Sequence, residues 1–121
     1  MSDKQFRFQD LEIWRRGAEV SAKLFQVADE LENRRLFRFA EQLRGATLSI
    51  TNNIAEGSGS FSDTDFANFL NFSRRSVFEV ANILMILSKG NYLPSQMIDP
   101  LLAELEEQSR MISSFRRTLK S

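Results

Sequence analysis

Ser49 to Asp63 reads SITNNIAEGSGSFSD, and the way this stretch divides decides the fold. It holds the chain's densest cluster of glycine and serine and lies near the midpoint of 121 residues. Two asparagines, an acid and two glycines close together would suit a site for chemistry, but the periodicity points elsewhere. Arg38, Gln42, Gly45, Ser49, Asn52 or Asn53, and Glu56 follow an i, i+3, i+4 spacing, so this polar stripe is the flank of a helix. Gly57, Ser58 and Gly59 then read as its terminator, as glycine just past a C-cap does. Ser62 with Asp65 three residues later is a capping-box-like start for the next helix. The glycine run follows a helix and not a strand, which removes a dinucleotide-binding reading.

Outward from this corner the same periodicity continues. The preceding helix runs from about Leu36 to Glu56, with Leu36, Phe39, Ala40, Leu43, Ala46, Thr47, Ile50 and Ile54 on its core stripe. The following one runs from about residue 63 to 89. Its core stripe is Phe66, Phe69, Leu70, Ser73, Val77, Val80, Ala81, Leu84 and Leu87, and Lys89 and Gly90 close it. Phe72, Ser76, Glu79, Ile83 and Ile86 lie on an adjoining face. A first helix, about 10–31 and opened by Asp10, carries two neighbouring apolar stripes that cover half its circumference. That is wider than the roughly 100° one core-facing helix needs. Either it is wedged between two neighbours or part of the arc meets another subunit. Residues 1–8, with Phe6 and Phe8, form a loosely docked arm. A last helix, about 95–119, is capped by Ser95 or Asp99 with Pro100 in the first turn. It presents Leu101, Leu105, Gln108, Ile112, Phe115 and Leu119. Four such helices joined by short turns predict one all-α domain over 1–121, an up-down-up-down antiparallel four-helix bundle.

Composition bounds the chemistry. The chain is 42% hydrophobic and 26% charged, with 16 basic and 16 acidic residues, so nothing in the balance demands a polyanionic partner. Cysteine and histidine are both absent. That excludes disulfides and thiolate metal sites, and removes the commonest metal ligand and the usual acid–base group near neutral pH. The N-terminus is too polar for a signal peptide and no apolar run reaches the roughly 20 residues of a membrane span. The expectation is a soluble cytoplasmic protein without membrane contact.

Several motifs carry a family resemblance: F-x-D-L-x-I-W from Phe8 to Trp14, E-Q-L-R-G-A from Glu41 to Ala46, and S-I-x-x-N-I-A-E-G from Ser49 to Gly57. F-x-x-F-L from Phe66 to Leu70 and S-V-x-E from Ser76 to Glu79 extend it. Together they closely resemble the four-helix bundle proteins encoded by 23S rRNA intervening sequences. The resemblance implies a ring-like homo-oligomer, a homopentamer, with no established enzymatic activity. It is also similar in fold to accessory proteins of diversity-generating retroelements, which share that bundle and bind nucleic acid. Those relatives are strongly basic, whereas this chain is neutral.

Candidate residues fall into two sets. Gln42, Ser49, Asn53, Glu56, Gly57, Ser76 and Glu79 are expected to form a structural polar network that sets helix register, since unpaired buried polar groups cost about 1–3 kcal/mol each. Glu56 and Glu79 alone, without imidazole, make a poor metal site. Ser49 and Ser76 lack an activating base. No catalytic residue, metal or cofactor is therefore assigned. Arg7, Arg15, Arg16, Arg110, Arg116, Arg117 and Lys120 are candidate nucleic-acid contacts, because an antiparallel bundle gathers them toward one end. The plain structural explanation is that cations at the end of the last helix complement its dipole. The reading is a non-enzymatic oligomeric module, with RNA or a ribonucleoprotein as leading partner and no small-molecule ligand. A protein-binding adaptor using exposed apolar helix faces is the alternative, and an enzyme with an unrecognised carboxylate site ranks third.

Overall fold

The computed structural model describes residues 5–119. Among them are four α-helices and no strand: α1 Glu12–Asn33, α2 Phe37–Ser58, α3 Asp63–Lys89 and α4 Ser95–Arg117, preceded by a 3-10 turn at Arg7–Asp10. Each helix turns an apolar stripe inward. Leu24, Leu43, Ile50, Ile54, Phe66, Leu70, Leu84, Ile98 and Ile112 are all fully buried. Packing runs α1–α2, α2–α3, α3–α4 and α1–α4, while the diagonal pairs do not meet. This is a four-helix bundle. No described helix is long and apolar enough to cross a membrane.

Most of the wide apolar arc of α1 is used inside its own bundle, while Trp14, Ala18 and Phe25 at its edge stay half-buried. Ile13, Val20, Leu24, Val27 and Leu31 are buried, and none of the exposed large apolar residues lies on α1. Two buried side chains tie helices together through backbone carbonyls. Gln108 Nε2 on α4 donates to Ile13 O on α1 at 2.8 Å, and Ser73 Oγ on α3 donates to Ile50 O on α2 at 2.7 Å. Such bonds satisfy groups that would otherwise be costly to bury. At the surface, Arg44 on α2 holds Asp29 at 2.7 Å and Glu32 at 2.6 Å, both on α1. Its hydrogen bond to Asp29, then that to Glu32, pushes the guanidinium pKa upward.

The helix ends correct two expectations, at α2 and α4, and bear out the close of α3 at Lys89 and Gly90. First, Gly57 and Ser58 lie within α2, and Gly59 is the C-cap with φ −87°, ordinary right-handed backbone. No described glycine has positive φ. By contrast, α1 and α3 do end in left-handed residues, Arg35 (φ 65°) and Asn91 (φ 62°). Each completes a Schellman motif. Leu36 N donates to Leu31 O at 2.9 Å with Arg35 N to Glu32 O at 2.9 Å. Likewise Tyr92 N donates to Leu87 O at 2.9 Å and Asn91 N to Ser88 O at 3.1 Å. Gly90 sits one residue before the position that would use its freedom. Second, neither Ser95 nor Asp99 caps α4. Pro94 is the N-cap and Pro100 lies inside the helix, past the first turn. Proline has no N–H to offer the Gln96 carbonyl, and Gln96 is exposed, so water can serve that oxygen.

Other ends follow their residues. Ser62 Oγ accepts from Asp65 N at 3.1 Å and caps α3. Of the N-terminal arm, the described part from residue 5 onward packs against α1 and α2, with the Phe8 ring 5.0 Å from that of Trp14, and residues 1–4 lie outside the described residues.

Candidate functional site

The polar stripe of α2 meets α3 in a shallow cleft lined by Ser49, Asn53, Phe72, Arg75, Ser76, Phe78 and Glu79. Ser49 and Asn53 are one helical turn apart, which lets Asn53 Nδ2 donate back to Ser49 O at 2.8 Å and to Ser49 Oγ at 3.0 Å. Across the helix pair, Ser76 Oγ donates to Ser49 Oγ at 2.9 Å or to Phe72 O at 3.2 Å. One hydroxyl proton serves only one of these at a time. Three small polar side chains thus hold α2 and α3 at a fixed height.

Gly57 acts by a different means. A Cβ added there would stand 2.7 Å from Phe69 Cβ and 2.8 Å from Phe66 Cδ1. Glycine is what allows the last turn of α2 to lie against the first turn of α3. Gln42, Glu56 and Glu79 are exposed, and none of their side chains makes a hydrogen bond or ion pair among the described residues. Of the seven residues grouped from the sequence, three are hydrogen-bonded together, one is a close-packing contact and three face solvent. Among the described residues no cluster of three acids could hold a metal ion.

The arginine set is largely engaged. Arg7 Nη1 reaches Ser58 O at 3.5 Å, and its guanidinium lies 5.1 Å over the Phe66 ring. Arg15 pairs with Glu12 at 2.9 Å and Arg16 with Glu19 at 3.9 Å. Arg110 reaches Glu106 at 3.6 Å. Arg116 Nε donates to Ala67 O at 3.0 Å, and Arg117 Nη2 to Ser114 Oγ at 3.2 Å. Lys120 lies outside the described residues.

The sequence reading set Phe72 and Ile86 on a face beside the α3 core stripe and passed over Phe78 and Met85. Phe72, Phe78, Met85 and Ile86 are each about half exposed on this one helix. Phe78 and Met85 also line an apolar groove between α3 and α4, together with Ala81, Leu102 and Ala103. The signal was available, since the α3 sequence carries more apolar residues than one core stripe can absorb. Arg74 stacks over Phe78 at 4.8 Å and partly shields it.

The family model of the 23S rRNA-intervening sequence protein matches residues 9–114. The chain belongs to the 23S rRNA-intervening sequence protein family. The match begins at the docked arm and runs almost to the end of α4, so it takes in the cleft and the α3 surface alike. Comparison with curated protein sequences finds no significant match.

Proposed function

We propose that this protein is a non-enzymatic, self-assembling helical module that works by binding. The observation that carries the reading is the α3 surface. Four large apolar side chains are exposed on one helix beside an apolar groove, a pattern that marks interaction sites more often than free surface. The ring-like homopentamer implied by the family resemblance is the assembly we attach to it, and the cytoplasm, suggested by the lack of cysteine, is the compartment.

An up-down-up-down antiparallel course is supported by the order of contacts. Asp29 pairs with Arg44 while Gly17 faces Thr51. Ser49 meets Ser76 while Gly57 meets Phe66. Ile13 meets Gln108 while Lys23 meets Glu104.

RNA or a ribonucleoprotein is the partner class we name second, supported by arginines that a ring would repeat, since repetition multiplies weak phosphate contacts. Their existing protein partners weigh against it. Light scattering tests both readings. The expected particle is five times the 14.0 kDa of one chain, and Phe78→Glu should break it down. A monomer at micromolar concentration would end the assembly reading, and RNA binding indifferent to salt would end the phosphate one.

A further inference from the structure

The groove between α3 and α4 has a volume of about 540 Å³ and is built wholly from one chain. Val77, Phe78 and Met85 line it from α3 and Leu105 from α4, and the small side chains of Ala81 and Ala103 leave room between the helices. Mostly apolar pockets of this size take small molecules, whose orientation is set by a few polar groups. One such group is Ser109. It lines the groove, is only 8% exposed and has no hydrogen-bond partner for its hydroxyl among the described residues. We infer that the α3–α4 groove is a binding site for a small uncharged amphiphile, an alkyl body carrying a hydroxyl head that hydrogen-bonds to Ser109 Oγ.

The unused hydroxyl separates this groove from ordinary packing. A serine inside a helix can give its proton to a nearby carbonyl, and the buried serines of α2 and α3 all find an acceptor. Ser58 Oγ donates to Ala55 O at 2.8 Å, Ser73 Oγ to Ile50 O at 2.7 Å and Ser76 Oγ to Ser49 Oγ at 2.9 Å. Ser109 on α4 does not. A polar group buried without a partner is costly, and a ligand that supplies the partner recovers that cost on binding.

The surroundings favour a neutral head. Glu106 at the groove lies 3.6 Å from Arg110, and Arg74 stacks over Phe78, so charges of both signs stand near the opening. An ionised head of either sign would lose water on entry without a counter-ion of its own to replace it. Length agrees with an alkyl body. Phe115 packs on Phe66, and α4 begins a short turn after α3 ends, so on the antiparallel course proposed above Ser109 falls at the Val77 end of the groove and Met85 lies at the other. Val77 to Met85 spans about 12 Å of helix at 1.5 Å per residue, the reach of a medium-length alkyl chain. Every residue of the site belongs to one chain, so binding does not depend on self-assembly.

Octanol, octanoate and octylammonium share one chain length and differ in the head, and each is titrated into the full chain labelled at its methionine methyl groups. Met85 lines the groove, whereas Met97 and Met111 do not. The expected result is a saturable shift of the Met85 resonance with octanol, with the two ionised ligands about tenfold weaker or more, since a buried unpaired charge costs more than a neutral head. Ser109→Ala removes a hydroxyl that has no partner in the protein, and it should weaken octanol about fivefold. Ala103→Phe, at an exposed position, should fill the groove and abolish the shift. No saturable Met85 shift with octanol, or one that survives Ala103→Phe, overturns the site. Undiminished affinity in Ser109→Ala, or equal affinity for the three heads, overturns the ligand assigned to it. Light scattering on the same samples reports self-assembly separately, and a monomer that binds octanol leaves the site standing.

Discussion

The backbone of Gly57 lies so close to α3 that a Cβ there would stand 2.7 Å from the Cβ of Phe69. Neither atom belongs to a flexible side-chain tip, so relief would require the two helices to part. Gly57→Ala is therefore expected to destabilise the fold by about 1–3 kcal/mol, as overpacking does, despite alanine's better helix propensity. Gly45 is the internal control. It is mid-helix and exposed, with nothing within 4 Å of an added Cβ. Gly45→Ala should stabilise by about 0.5–1 kcal/mol. Denaturant unfolding of both variants checks the contrast, and a common sign for the two would refute it.

Arg35 adopts φ 65°, a left-handed conformation that costs a residue with a Cβ roughly 1 kcal/mol or more. Arg35→Gly should raise the melting temperature, because glycine enters this region without steric cost. Asn91→Gly should gain less, since asparagine already tolerates left-handed backbone. Thermal scans of the two variants, side by side, measure the order.

Gln108 is almost fully buried and donates to Ile13 O at 2.8 Å, beside Gly17. Gln108→Ala should cost about 2–4 kcal/mol through the cavity and the lost bond together. Gln108→Met keeps most of the volume and should cost only about 1 kcal/mol. Equal losses in the two would mean that the bond, and not the packing, dominates.

Arg44 has its pKa raised by Asp29 first and Glu32 second. A cation whose folded pKa is raised contributes stability below its unfolded pKa and loses it only as pH climbs through the folded value. For arginine that window lies at extreme alkaline pH, so the Arg44 titration adds no slope to stability near neutrality. What should vary is salt. Arg44→Met is expected to lower stability slightly in dilute buffer, with the difference shrinking as ionic strength rises. Unfolding measured across a salt series reports it.

Ser49 to Asp63 shows where local reading succeeds and where it stops. The helical periods on either side, the break between them and the Ser62 cap are short-range properties of the chain, set by side-chain spacing and nearby backbone donors. They were legible without any contact map, and so was the four-helix architecture. The role of Gly57 was not. A glycine near a helix end has the same local signature whether it relieves backbone strain or admits a neighbouring helix, and only the approach of Phe66 and Phe69 distinguishes the two. The same limit hid which polar residues pair. Ser49 and Glu56 share one stripe, yet helix rotation brings Ser49 to Ser76 and turns Glu56 to solvent. It also hid the exposed Phe78 and Met85, and left open whether Phe72 and Ile86, beside the core stripe, would be covered. Sequence determined that the chain forms four amphipathic helices, because periodicity and capping act within a few residues. Tertiary structure decided which apolar residues remain uncovered, because that depends on how many neighbours each helix has and at what angle they meet it.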